Sequence, residues 1–300
     1  MTGSRDRIPY QTAKDFDRAL TDRIASAALI LPYGVPQLRR QFAYGRLLAR
    51  LFLHEPERWV LKGATGLLAR MPGKARHSMD VDLFFSGELD EAVSGFRDAA
   101  DGDLGDFFTF DVVPGVALSR NTTGRVLTVT AYLGDKVFEA FPVDVVVTQT
   151  MTTEADSTPP IELIEVPGLE SPPYRTYPIS DQIADKYSAM LGTYAGLPST
   201  RYRDLVDLVL IATTQHVDAD LLRVALASEQ RRRGLDPGEA LKLPSADWRQ
   251  GYGRVASAMP GFRVIDADEA VELVGRLLEP ILDGTAAGLW NPQDLRWDNQ

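Results

Sequence analysis

Two periods alternate along this chain, and the switches between them mark out its organisation. Between Thr12 and Leu31, Phe16, Leu20, Ile24 and Ala28 recur every four residues among polar positions. That spacing predicts a helix with one buried stripe. Pro32, Gly34 and Pro36 break it, and Leu38, Phe42, Leu47, Leu48 and Leu51 predict a second helix over about 37–53. Trp59–Leu61 reads as a short apolar strand, Leu67–Met71 as a helix, Met79–Phe85 as a strand and Leu89–Ala100 as an amphipathic helix. The period then falls to two. Phe108, Phe110 and Val112 alternate over 107–113, and Leu127, Val129 and Ala131 oppose Val126, Thr128 and Thr130 over 126–133. Asn121-Thr122-Thr123-Gly124 reads as a turn, and Gly134-Asp135 as a hairpin turn into a strand over 137–148. A polar loop (151–160), a short strand (Ile161–Val166) and a Pro- and Gly-rich connector (167–178) follow. Helical spacing then returns. One helix is capped by Ser180 and buries Ile183, Tyr187 and either Met190 or Leu191; another starts near Thr200 and buries Leu205, Leu208, Val209 and Ala212. Two more are expected over 218–227 and 268–282, with a basic turn at Arg231–Arg233 and irregular chain over 235–254. The expected fold is α+β, with strands and helices mixed over 1–175 and a mainly helical domain over 176–300.

Composition narrows the possibilities. The chain has 300 residues, 44% of them hydrophobic, which suffices for two cored domains. No apolar run is long enough to span a membrane. Met1–Arg7 lacks the apolar stretch of a signal peptide, so a cytoplasmic protein is expected. The absence of cysteine excludes disulfides, a thiol nucleophile and Cys-bound zinc, and three scattered histidines do not make a metal site. The net charge of −10 argues against nucleic-acid binding by the whole surface. One segment differs. Leu221–Arg263 carries eight basic residues (Arg223, Arg231, Arg232, Arg233, Lys242, Arg249, Arg254, Arg263) against four acids (Glu229, Asp236, Glu239, Asp247). Trp248, Tyr252 and Trp290 lie in or near it; they read as a stacking surface for unpaired bases or, more plainly, as helix-packing aromatics. Arg39, Arg40, Arg46 and Arg50 read as a solvated helix face, or as a source of one phosphate contact.

The chemistry concentrates between Trp59 and Gly87. Lys62-Gly63-Ala64-Thr65-Gly66 is a turn from strand to helix, whose backbone amides suit phosphate. Arg76-His77-Ser78-Met79-Asp80-Val81-Asp82-Leu83-Phe84-Phe85 carries two acids two positions apart. On a strand they share a face, with Met79, Val81 and Leu83 turned to the core. Paired carboxylates repel and lose hydration, and a divalent cation between them relieves both costs. A further acid, Asp144, stands in the run Pro142-Val143-Asp144-Val145-Val146-Val147. It is either a solvated strand end or a buried carboxylate that needs a hydrogen bond, an ion pair or a metal. In the helical part, Lys186 lies beside an apolar stripe, and Arg203, Asp204 and Asp207 sit together by helical spacing. The four are expected to meet across a helical hairpin; an ordinary surface ion pair is the plainer alternative.

Together the two blocks resemble the AbiEii toxin branch, with its MenT-type toxins, of the polymerase β-like nucleotidyltransferase superfamily. The resemblance rests on Leu61-Lys62-Gly63-Ala64-Thr65 with Arg76-His77-Ser78-Met79-Asp80-Val81-Asp82-Leu83-Phe84, and on Ile183-Ala184-Asp185-Lys186-Tyr187-Ser188-Ala189 with Arg201-Tyr202-Arg203-Asp204-Leu205-Val206-Asp207-Leu208. It is strong over about 58–86 and 180–211 and faint elsewhere. The chain departs from the family at Ala64, where Gly or Ser is usual, and Thr65 is the candidate to supply that hydroxyl. If Thr65 points into the core, phosphate holding falls to backbone amides.

The resemblance implies a polymerase β-like nucleotidyltransferase domain followed by a mainly α-helical domain, with the site in a cleft between them. It implies Mg²⁺, with Mn²⁺ as a substitute, on Asp80, Asp82 and Asp144. Asp80 and Asp82 are catalytic in this reading. An NTP substrate is held by Lys62, Gly63, Thr65, Arg76 and Ser78. Lys186 contacts the triphosphate and is oriented by catalytic Asp207, through Arg203 or Asp204. The implied acceptor is RNA, above all the 3′ end of tRNA, and the implied partner is a cognate antitoxin. Phosphorylation of Ser78 would place negative charge where the triphosphate binds. Two other classes share these motifs: a nucleotidyltransferase acting on a protein or a small molecule such as an aminoglycoside, and a non-catalytic nucleotide-binding module.

Overall fold

The computed structural model describes residues 8–118, 123–148, 150–194, 196–235, 241–259 and 261–298. The turn expected at Asn121-Thr122 lies outside them. The chain divides into two compact units, residues 1–150 with 155–176, and residues 151–154 with 177–300.

The first unit runs α1 (Ala13–Ala27), α2 (Val35–His54), β1 (Trp59–Lys62), α3 (Gly63–Arg70), β2 (Val81–Phe85), α4 (Leu89–Ala100), β3 (Phe108–Ala117), β4 (Gly124–Leu133), β5 (Lys136–Val146), β6 (Asp156–Thr158) and β7 (Tyr174–Thr176). Its strands form one mixed sheet in the order β3-β4-β5-β2-β1-β7-β6. β2 runs parallel to β5 and antiparallel to β1, and this arrangement decides which acids become neighbours.

Period-two reading works where one sheet face is buried. Leu127, Val129, Ala131 and Leu133 are buried along β4, as their alternation predicts. It fails at Ile161–Val166, which forms no strand. Ile161, Ile164 and Val166 are buried, but at spacings of three and two, so no single strand face can hold them. The strand beside β1 is instead β7, from the stretch read as a connector, and β6 covers its other edge.

Both N-terminal helices differ in detail from expectation. Thr12 Oγ1 accepts from the Asp15 amide and caps α1, which buries Phe16, Leu20 and Ile24 but stops at Ala27, leaving Leu29 and Ile30 exposed. Pro36 opens α2 instead of blocking it, because a first-turn proline lacks only an N–H that has no partner within the helix. The arginine face of α2 is not solvated throughout. Arg46 and Arg50 are buried to 2% exposure and share the fully buried Asp106. Arg50 Nη2 donates to Asp106 Oδ1 at 2.7 Å, and Arg46 Nε donates to Oδ2 at 2.7 Å. Burial pushes the Asp106 carboxyl up, but the two guanidinium groups outweigh it and hold its pKa below the ordinary value.

The second unit runs α5 (Ile179–Leu191), β8 (Thr193–Tyr194), β9 (Leu197–Pro198), α6 (Tyr202–Ala212), β10 (Val217–Asp218), α7 (Ala219–Arg233), α8 (Trp248–Ser257), α9 (Ala267–Leu282), β11 (Leu289–Asn291) and β12 (Arg296–Asp298). Pro178, not Ser180, takes the N-cap position of α5, and Ser180 is buried in the first turn. α7 continues through Arg231–Arg233, where a turn was expected, and Gly234 ends it at a φ of +66°. Three cations in a last turn suit the helix dipole. Part of the stretch read as irregular forms α8. Trp248, Tyr252 and Trp290 are fully buried. Their polar tips donate to the Ser199 carbonyl (2.7 Å), the Val264 carbonyl (2.8 Å) and the Ala212 carbonyl (2.7 Å). They are core residues, which removes the base-stacking surface. Among the described residues no helix is long and apolar enough to cross a membrane.

Candidate active site

The site of the first unit begins where β1 turns into α3. The helix starts at Gly63 itself, not at Leu67. Gly63 has a φ of +59°, a conformation that costs an L-residue about 1–2 kcal/mol. A Cβ placed there would fall 1.9 Å from Asp82 Oδ2 and 2.7 Å from Asp82 Cγ. Glycine is therefore required twice, for the backbone angle and for contact with a carboxylate. In register, Asp82 lies beside Lys62 on one neighbouring strand and beside Asp144 on the other.

Thr65 is fully buried, and its Oγ1 donates to the Asp80 carbonyl at 2.9 Å. The hydroxyl expected to replace one lost at Ala64 thus ties α3 to the chain just before β2. Thr65 is therefore committed to packing, not to the phosphate contact expected of it. Ser78 is also buried, and its Oγ donates to Asp80 Oδ1. Its carbonyl accepts from Tyr44 Oη at 3.3 Å. The Asp80 residue is therefore fixed through both its carbonyl and its carboxylate. Asp80 precedes β2, so strand alternation does not reach back to Met79, which is 55% exposed, while Val81 and Leu83 are fully buried.

The basic loop before β2 is less basic than its letters. His77 lies with Nδ1 3.3 Å from Gln41 Nε2. Burial, then the charges of Arg40 and Arg76, lower its pKa from 6.5 to about 4, so it is neutral at pH 7. Arg76 is half-buried. The Asp144 carboxyl shifts the other way. Burial, then the charge of Asp80, hold its pKa above the ordinary carboxylate value. Among the described residues no three His, Asp or Glu side chains are assembled to hold a metal, so Asp80, Asp82 and Asp144 do not form a closed three-ligand cluster. Three like charges without a cation repel one another. The donor set still fits Mg²⁺ or Mn²⁺: hard carboxylate oxygens on β2, on the residue just before it and on the neighbouring β5, one of them raised in pKa by burial and then by the charge of Asp80. Mg²⁺ ordinarily takes one or two carboxylates and completes its shell with water and substrate oxygens.

The second unit carries the other predicted cluster. Lys186 is 5% exposed, and its Nζ donates to Asp207 Oδ2 at 2.6 Å and to Asp204 Oδ1 at 3.1 Å. Both aspartates are buried. Arg203 does not join them; it is exposed on α6. Arg201, which sequence reading passed over, donates through Nε to Asp204 Oδ2. Its signal was present: it lies three residues before Asp204 at the helix start, a spacing that brings side chains together.

The chain matches the family model described as "Nucleotidyl transferase AbiEii toxin, Type IV TA system" over residues 46–273. It belongs to the AbiEii nucleotidyltransferase toxin family. This makes it a nucleotidyltransferase of a toxin–antitoxin system, and the family implies an antitoxin as partner. Among solved structures, MenT4, the nucleotidyltransferase toxin Rv2826c from Mycobacterium tuberculosis H37Rv, is similar with a TM-score of 0.54 and 20% identity, over 88% of this chain and 98% of that one. That likeness supports the α+β nucleotidyltransferase fold. The antibiotic-resistance factor ANT(2'')-Ia matches at 14% identity over 65% of this chain and 95% of its own, with a TM-score of 0.34. No curated protein matches the sequence.

Proposed function

We propose that this AbiEii family member transfers a nucleoside monophosphate from an NTP to the 3′ end of tRNA in the cytoplasm, and so blocks translation. The acceptor hydroxyl oxygen bonds to the α-phosphorus, the bond to the β-phosphate oxygen breaks, and pyrophosphate leaves with the hydroxyl proton released. The observation that carries this reading is the stripped backbone at Gly63 lying on Asp82, with Asp144 beside it in register.

Asp80, Asp82 and Asp144 are the proposed holders of Mg²⁺, which when bound neutralises phosphate charge and lowers the pKa of an attacking hydroxyl. Ser78 and Thr65 hold Asp80 in place. Backbone amides at Gly63 and after, with Lys62 and Arg76, are the proposed phosphate contacts. Lys186 is the proposed second cationic contact to the triphosphate, oriented by Asp207 and Asp204. Catalysis in this scheme is positioning plus charge stabilisation.

A second reading, transfer to a protein or small molecule, gains from one observation. The aromatics of the basic segment are buried, Arg232 and Arg233 pair with Glu229, and Arg249 pairs with Asp268. The acceptor therefore needs a direct test. Each labelled NTP, Mg²⁺ and the full chain are incubated with pooled tRNA or with a tRNA-free lysate, alongside the Asp80→Asn variant. Label on the tRNA 3′ end, lost in Asp80→Asn, is the expected result. Label only in the tRNA-free arm replaces tRNA as acceptor, and label in neither arm rejects transfer.

A further inference from the structure

The four arginines of α2 end in different places. Arg46 and Arg50 are taken up by Asp106 in the core. Arg39 lies over the Phe138 ring and donates to the Phe138 carbonyl at 3.1 Å. Arg40 stays near the catalytic acids, with 20% of its side chain exposed. Its Nη2 donates to Glu139 Oε1 at 3.0 Å, and its Nη1 donates to Met79 Sδ at 2.7 Å in an exposed contact. Nε is buried, so Nη1 is the arm that a ligand can reach. Met79 directly precedes Asp80 and is 55% exposed. The charges of Arg40, Asp80, Glu139 and Asp82 all act on the Tyr44 phenol, which places them in one neighbourhood.

The two arms of Arg40 are unequally matched. A carboxylate holds one, while the other faces a neutral thioether, a weak acceptor. An anionic oxygen in place of Sδ makes a charge-assisted hydrogen bond instead. Met79 is unbranched and exposed, so it can swing aside. The sheet order says which anion comes there. Asp82 stands between Lys62 of β1 and Asp144 of β5. Gly63 and the amides after it, the proposed triphosphate contacts, lie on the β1 side. Arg40 lies on the β5 side, because Glu139 belongs to β5. In-line displacement places the attacking oxygen and the leaving pyrophosphate on opposite sides of the α-phosphorus. With the triphosphate on the β1 side, the acceptor enters from the β5 side.

We propose that Arg40 binds a backbone phosphate of the polynucleotide acceptor through Nη1, close to the end that is extended. This rests on transfer to RNA, as proposed above. The three aspartates and Glu139 outnumber Lys62, Arg40 and Arg76, and His77 is neutral, so an RNA end meets an acidic neighbourhood. Mg²⁺ offsets part of that charge when bound, and each arginine within reach of the RNA then counts.

Steady-state transfer by the full chain, with pooled tRNA, labelled NTP and Mg²⁺ over a range of salt concentrations, tests this. Arg40→Gln is expected to raise the KM for tRNA about 10-fold, the loss of one charge-assisted hydrogen bond, and to leave the KM for NTP within about 2-fold. The slope of log KM for tRNA against log salt should fall by about 0.7–0.9, one phosphate contact. Arg40→Lys keeps the charge and should keep that slope. Glu139→Gln removes a carboxylate beside the same phosphate and should lower the KM for tRNA about 2-fold. Opposite signs for the two halves of one ion pair separate phosphate contact from structural support, and Glu139→Gln decides alone if Arg40→Gln does not fold. A raised NTP KM with an unchanged tRNA KM in Arg40→Gln, an unchanged salt slope, or an unchanged or raised tRNA KM in Glu139→Gln overturns the proposal while transfer to RNA stands. A wild type that labels no RNA overturns both.

Discussion

Gly63 concentrates the case for the site in one residue. Its angle and its approach to Asp82 both exclude a side chain. Gly63→Ala should therefore move the Asp82 carboxylate or the start of α3. Transfer is expected to fall by about 100-fold or more, with a stability loss of about 1–2 kcal/mol from the left-handed backbone alone. A transfer assay and chemical denaturation on the same preparation check both. His77 yields a pH prediction. Its folded pKa, about 4, lies below the ordinary 6.5, so the unfolded chain binds the proton more readily. The stability from neutral His77 is present in full above pH 6.5 and is lost as pH falls toward 4. Between pH 7 and pH 5 the wild type should lose more stability than His77→Gln in denaturant titrations. Asp144 offers a third measurement. Burial and then the charge of Asp80 raise its pKa; Asp80→Asn removes only the second, so the Asp144 carboxyl should titrate lower than in wild type by carboxyl-carbon NMR while staying above the ordinary carboxylate value. Spacing in the sequence pairs Asp80 with Asp82, and the run of valines singles out Asp144 as a lone acid. Neither finds the uses of Thr65 and Ser78, because a hydroxyl's partner is chosen by packing.

At the level of elements, α2 shows how far periodicity can be trusted. Its length and buried apolar positions follow from spacing, but the fate of its arginines does not. Arg39 lies over the Phe138 ring at 3.8 Å, Arg40 pairs with Glu139, and Arg46 and Arg50 enter the core. The four look alike in sequence. What separates them is Asp106, 56 residues after Arg50 and brought beneath α2 just before β3. Asp106→Asn leaves two buried cations without their counter-charge and should cost about 3–5 kcal/mol in chemical denaturation. A loss below about 1 kcal/mol would mean the arginines find water instead. The edge beside β1 teaches the same lesson. Tyr174–Thr176 carries no strong strand signal, yet it pairs because β1 presents an open edge to it.

At the scale of the whole molecule, net charge and local charge have to be separated. The basic excess over Leu221–Arg263 looked like an RNA face against a −10 background. In the folded second unit much of it is used internally, with Arg233 on Asp185 and Glu229, and Arg249 on Asp268. The aromatics among these residues are core. Trp248→Ala should lower stability by about 3–5 kcal/mol, the cost of emptying a buried aromatic site, while leaving the KM for the acceptor unchanged. A weakened acceptor KM in a variant still folded at the assay temperature would restore the stacking reading.

The sequence by itself determined the alternation of periods, the α+β class, the family, the pair of acids around Val81 and the clustering of Lys186 with Asp204 and Asp207. Each of these is written in spacing over a few residues, or in residue types that few other chemistries need. Tertiary structure alone decided that Gly63 lies on Asp82, that Arg201 and not Arg203 joins the lysine, that two buried arginines share Asp106, and that Arg40 reaches Met79 beside the catalytic acids. Those are pairings between distant segments or choices between similar neighbours. They follow from which surfaces close on one another, and local spacing carries no record of that.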